Sequence, residues 1–240
     1  MFNNGVKVLR IRSFFWCLLM CITVADASAQ EKFVWIKGED GQIISGGWMV
    51  RDQKVGYWKS YYPTEKPRSE GRYQNTKTGT WKSYYENGQL HLIGNYVAGA
   101  KDGFWKTFRV NGKLKTEGGY VSDTQAGWWK TYNENGTLLS VGQYVNGKRN
   151  GYWKTYNQNG EIESEGYFAD GLKVDWWKNY DGQGVLVSEG SFSKDIKNGL
   201  WRFYSQGVLS EEGSFFRGKK VGLWKRYSPS GSIMEVSEYD

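Results

Sequence analysis

Aromatic residues recur along the chain at a fixed interval, with polar residues and glycine between them. Trp58, Trp81, Trp105, Trp129, Trp153, Trp177, Trp201 and Trp224 stand 23 or 24 residues apart. A cation occupies the next position in every case: Lys59, Lys82, Lys106, Lys130, Lys154, Lys178, Arg202 and Lys225. Counting from the Trp, a second ring follows at +3 (Tyr84, Phe108, Tyr132, Tyr156), Gly recurs at +7 and +13, and a third ring closes the unit at +15, as in Gly160, Gly166 and Phe168. Self-similarity at a period of this size marks a repeat architecture. Val34 lies 24 residues before Trp58, with Gly41 and Gly47 at matching offsets. A degraded first unit (33–55) and eight further units (56–240) therefore account for a single repeat domain over 30–240.

Each unit alternates in the way a half-buried strand does and carries no helical period. The run Gly151–Tyr156 reads as a short aromatic strand, and Glu161–Phe168 as its return. Asn87-Gly88, Asn111-Gly112, Asn135-Gly136 and Asn159-Gly160 predict two-residue type I′ turns, which need positive φ at both positions. A polar loop such as 145–150 then leads to the next unit. The expected fold is all-β: an elongated single antiparallel sheet of about nine consecutive hairpins.

A two-residue turn makes paired positions add to +13. The Trp then faces the Gly at +13, so its indole is expected to lie across that bare backbone. The ring at +15 faces a Gly at −2, and the cation at +1 faces Glu70, Glu117, Glu165 or Glu189 at +12 in four units. A three-residue turn with a Gly bulge would add to +12 and lose that charge match. The turn of the Trp58 unit is expected to differ because of Pro63 and Pro67, and the Trp201 unit, one residue short at Ser205-Gln206-Gly207, has no assigned register.

Composition adds compartment and chemistry. Thirteen Trp, seventeen Tyr, eleven Phe and thirty-two Gly stand beside three Pro, two Cys and one His, with a net charge of +7. Lys7, Arg10 and Arg12 precede the apolar run 14–24, and Ala27-Ser28-Ala29 offers small residues at a cleavage site. Residues 1–29 thus read as a signal peptide, placing the protein in the periplasm, on the cell surface or outside the cell. Cys17 and Cys21 leave with it, and no metal site or cofactor is expected. His91 has no second ligand nearby in sequence. Gly142-x4-Gly147-Lys148 and Gly213-x4-Gly218-Lys219 imitate a phosphate loop but lack the Ser or Thr and the helix that one needs. Glu165 and Glu189, about 9.5 Å apart on alternate strands, are better read as cross-strand partners of Lys than as a catalytic pair.

The unit Gly-x-Trp-Lys-x-Tyr-x-x-Asn-Gly-x-Leu-x-x-x-Gly-x-Tyr-x-x-Gly, nearly intact in 103–127 and 151–171, resembles the MORN repeat, and more closely its bacterial variant form. The resemblance covers 33–240 and departs from the eukaryotic repeat in carrying Trp where that repeat has Gly. It implies a stack of hairpins that serves as a scaffold, a dimerisation surface or a lipid-contacting module, and bacterial members carry an antitoxin label.

The expectation is a non-enzymatic exported scaffold that binds a protein, either another copy of itself or an envelope partner, and no nucleic acid. Glycan or anionic-lipid binding, and an antitoxin or immunity role, are the alternatives. Positions −1, +1 and +3 share one sheet face and form a comb in which a cation sits between two rings. Lys130 faces Val141 and Lys82 faces Ile93 rather than Glu, so these two are taken as unneutralised. The candidate binding residues are accordingly Lys130, Trp128 and Tyr132, then Lys82 and Tyr84. The eight Trp named above are the structural anchors.

Overall fold

The computed structural model describes residues 30–240; the predicted signal peptide, with Cys17 and Cys21, lies outside them. Eighteen strands, from Lys32–Lys37 to Ile233–Tyr239, form one open antiparallel sheet in which each strand pairs with its neighbours in the chain. In the first hairpin Val34 pairs with Gly47.

The predicted register holds through the middle of each hairpin. In the unit of Trp153, Trp153 pairs with Gly166, Lys154 with Glu165 and Gly151 with Phe168. The turn is another matter. The Gly160 N–H donates to Asn157 O at 3.1 Å and the Asn157 N–H to Glu161 O at 2.8 Å. Gly160 has φ +92°, whereas Asn159 keeps negative φ. This is a three-residue loop with Gly in the left-handed position, not type I′. It brings Tyr156 opposite Ile162, and a one-residue bulge before Thr155 and Ser164 restores the +13 register. Asn157 fixes the loop, because its Oδ1 accepts the N–H groups of Asn159 and Glu161.

The type I′ turns lie instead between units, where a loop was expected. Asn146-Gly147 has φ of 50° and 76°, and Asp170-Gly171 has 50° and 88°. Each joins its strands with two residues, so Val145 pairs directly with Lys148 and Ala169 with Leu172. The short Trp201 unit uses the same device internally: Gln206-Gly207 takes φ of 50° and 78°, and Trp201 pairs with Gly213. The Trp58 unit does not depart from the rest. Tyr62 and Lys66 close the common loop, Glu65 takes the left-handed place at φ 62°, and Pro63 sits where a type I turn accepts proline.

The core is a single file of indoles. All eight repeat Trp are buried, Trp153 being 2% exposed, and Phe168, at 8%, is the one other buried large hydrophobic residue among the described residues. Each indole leans back over the preceding unit. A Cβ at Gly142 would overlap the Trp153 ring, and one at Gly166 would overlap Trp177. The expectation that Trp covers its own unit's Gly is therefore corrected: it pairs with that Gly but covers the one before it. The indole N–H explains the lean, since Trp153 Nε1 donates to Gln143 O at 3.1 Å on the preceding strand. The ring at +15 fills the gaps edge-on. Tyr144 lies 5.9 Å from Trp129 and 5.2 Å from Trp153, in T-shaped contacts worth roughly 0.5–1.5 kcal/mol each. The herringbone runs unbroken from Trp58 to Tyr239.

Candidate functional site

With the indoles committed to one face, positions −1, +1 and +3 emerge on the other, as the alternation requires. The side chains at −1 stand out from it: Phe104 is 56% exposed, Trp128 57% and Leu223 61%. Behind them runs a ladder of charge. Lys59 pairs with Glu70 at 3.5 Å, Lys106 with Glu117 at 3.6 Å and Lys154 with Glu165 at 3.2 Å, while Arg202 reaches both Glu189 and Glu212.

Each carboxylate also accepts a phenol from the next unit. Tyr84 donates to Glu70, Tyr132 to Glu117, Tyr180 to Glu165, Tyr204 to Glu189 and Tyr227 to Glu212. Burial alone would push the Glu165 carboxyl up. Hydrogen bonds from Tyr152 and Tyr180, together with Lys154, override that and hold it below the ordinary carboxylate range. Burial and then the Glu117 bond raise the Tyr132 phenol to about 12. Glu165 and Glu189 are thus taken up by Tyr, Trp and cation partners within the ladder.

Trp128, Lys130 and Tyr132 lie side by side on one strand of this face, and Lys82 and Tyr84 occupy the same places two units earlier. Two features depart from expectation. Lys130 faces Val141 within its own hairpin, but on its other side it pairs with Glu117, and Lys82 likewise pairs with Glu70. Neither Lys makes an ion pair within 4.0 Å among the described residues, yet both have a carboxylate on the adjacent strand. Hairpin reasoning counted one neighbour where a continuous sheet supplies two. Tyr132 and Tyr84, moreover, are tied to Glu117 and Glu70, which leaves Trp128 and Lys130 as the freer part of the set. His91 packs against Tyr85 at 4.4 Å, and burial, then Lys115, lowers its imidazole. Among the described residues, no cluster of three or more His, Cys, Asp or Glu could hold a metal ion.

A second row of cations went unread in the sequence. Lys54, Lys77, Lys101, Arg149, Lys173, Lys197 and Lys220 stand four positions before their Trp, on the indole face. Their charged ends lie 3.9–4.9 Å from the indole centroids. The signal was present: the same offset carries a cation in every full unit except that of Trp129, where Gln125 stands.

The MORN repeat variant matches residues 54–75, 77–98, 127–146, 149–170 and 220–240, the units of Trp58, Trp81, Trp129, Trp153 and Trp224. Repeats of this kind point to a scaffold for protein or membrane interaction. No curated protein matches the chain. Among solved structures, a chain in the crystal structure of TcdB2-TccC3-Cdc42 is 10% identical over 85% of this chain, with a TM-score of 0.21. A chain in the Photorhabdus luminescens Tc holotoxin pore (mutation TccC3-D651A) is 12% identical over 86%, with a TM-score of 0.18. The present chain spans 14% of the length of each.

Proposed function

Starting from a chain that carries MORN-variant repeats in five of its units, we propose that it is an exported, non-enzymatic scaffold that docks a partner protein on its comb face. The observation that carries this reading is the row of exposed apolar side chains at −1, with Phe104, Trp128 and Leu223 more than half exposed on a sheet fixed from behind by the indole file. Large rings held on a rigid surface and flanked by cations are the usual anchors of protein interfaces. Trp128 beside Lys130 is the strongest such pair, with Tyr132 behind it, and Lys82 with Tyr84 forms a weaker copy.

A photo-crosslinking side chain at position 128, in the cell that makes the protein, tests this. The expected result is an adduct with one protein, another copy of the chain or a distinct partner, which fades when Lys130→Gln is added. An adduct formed from position 101 on the opposite face but not from 128 overturns it. If the partner is a toxin, the scaffold acts as an antitoxin or immunity protein. Export is read by N-terminal sequencing, which should begin at Gln30; an intact Met1 on cytosolic protein overturns it.

A second reading, in which the comb grips a glycan or an anionic lipid headgroup, draws on its cation–ring pairs. Lys106 lies 5.8 Å from the Phe104 ring and Lys154 5.8 Å from the Tyr152 ring.

A further inference from the structure

The cations of the indole face have almost no counter-charge. Lys220 pairs with Glu211 at 2.6 Å. Lys54, Lys77, Lys101, Arg149, Lys173 and Lys197 have no carboxylate within 4.0 Å among the described residues, and the field of Asp195 offsets part of the cost at Lys173. Half-buried against rings, they also feel one another. Burial, then the charges of Lys101 and Lys54, lowers Lys77, and burial, then Lys220, lowers Lys197. An anion placed along the row would relieve both costs.

The row has a definite shape. It is one cation wide and advances by two strands per unit, about 9.5 Å. Beside it on the same face runs a file of hydroxyl pairs: Ser60 with Ser69, Thr107 with Thr116, and Thr155 with Ser164. Around Ser60 and Ser69 the two files line a shallow cavity of about 190 Å³ bounded by Lys54, Lys77, Tyr73 and Trp58. Nucleic acid places a phosphate about every 3.4 Å along a strand, far denser than this row. A bilayer would engage exposed apolar side chains, and Phe104, Trp128 and Leu223 project from the opposite face. A spacing close to the advance of two sugar rings, with hydroxyls alongside, suits a polysaccharide that carries one acid group per disaccharide.

We propose that the indole face binds a linear acidic polysaccharide along the row Lys54–Lys77–Lys101 and Arg149–Lys173–Lys197, with Gln125 as the one gap between the two stretches. The site is independent of the comb face, so either can fail alone. The probe is hyaluronan, titrated into the full chain at fixed salt. Lys101→Gln/Arg149→Gln/Lys173→Gln should weaken binding roughly tenfold or more, since three charge-assisted contacts are lost. The comb triple Lys106→Gln/Lys154→Gln/Lys178→Gln removes the same charge and should change it less than about twofold, as expected of distant, screened charges.

Gln125→Lys fills the gap and should tighten binding, a gain that a folding defect cannot imitate. Equal losses from the two triple variants, no gain from Gln125→Lys, or no binding of hyaluronan overturns the proposal. Tighter binding to phosphatidylglycerol vesicles or to single-stranded DNA than to hyaluronan overturns it as well.

Discussion

The two faces of the sheet handle the same side chain in opposite ways. On the comb face a Lys lies over carboxylates that also take a Tyr from the next unit, as Lys154 does at Glu165. On the indole face a cation such as Arg149 lies over Trp153 and Phe168 with no carboxylate within reach among the described residues. The comb face matches its charge within the protein at Lys59, Lys106, Lys154 and Arg202, whereas the indole face, Lys220 apart, leaves its cations over aromatic faces, where each contact contributes roughly 0.5–2 kcal/mol. The difference teaches that one repeat can hold two rows of cations in opposite electrostatic settings, although a +7 chain shows only a surplus of cations.

Substitution of facing neighbours should expose this division, with the largest effect at the core. Trp153→Ala removes a ring that is 2% exposed and should lower stability by about 3–5 kcal/mol in denaturant unfolding. A loss below about 1 kcal/mol would mean that the indole file is not the core. Gly142→Ala, one methyl group on the preceding strand, should cost about 1–3 kcal/mol by forcing that same indole off its seat. The double variant should then be milder than the sum, since the small residue at 153 removes the clash.

On the comb face, Glu165→Gln should cost about 1–3 kcal/mol, because two phenols and an ammonium lose a charged acceptor. The same ladder sets an acid limit. Glu70, Glu165, Glu189 and Glu212 are held below the ordinary carboxylate value of 4.5, Glu212 chiefly by Tyr227. Their contribution is present above that value and is lost as pH falls through the lowered ones. The melting temperature should therefore drop below about pH 4.5, and by less in Glu165→Gln. The smallest effect belongs to Lys130→Gln, expected within about 0.5 kcal/mol of the parent because the side chain is exposed and makes no close ion pair. A larger loss there would show that the Glu117 neighbour matters more than geometry implies.

How much of this could be read beforehand depended on how local the cause was. The period, the strand-centre register and the outward direction of Trp128 follow from spacing and alternation, and they hold. The turns were misassigned because Asn-Gly suits both types. Asn157 wraps its own loop, but Tyr85 and Arg109 hold the same place in the equivalent loops of Asn87-Gly88 and Asn111-Gly112, so that side chain supports the turn without selecting it. The indole's lean toward Gly142 depended on an N–H partner one hairpin away, and the Glu117 beside Lys130 on a strand outside its hairpin. Neither can be reached by treating a unit as closed.

That lean gives the molecule a direction in time as well as in space. Gly142 is seated in its strand before the ring that covers it has been made; Trp153 comes eleven residues later in synthesis. Every unit in turn waits for its successor to roof it. The last full unit carries Ser237 opposite Trp224, where the others carry Gly. A duplicated unit joined after it would find its indole's seat occupied by a side chain, and lengthening the stack at that end calls for Ser237→Gly first.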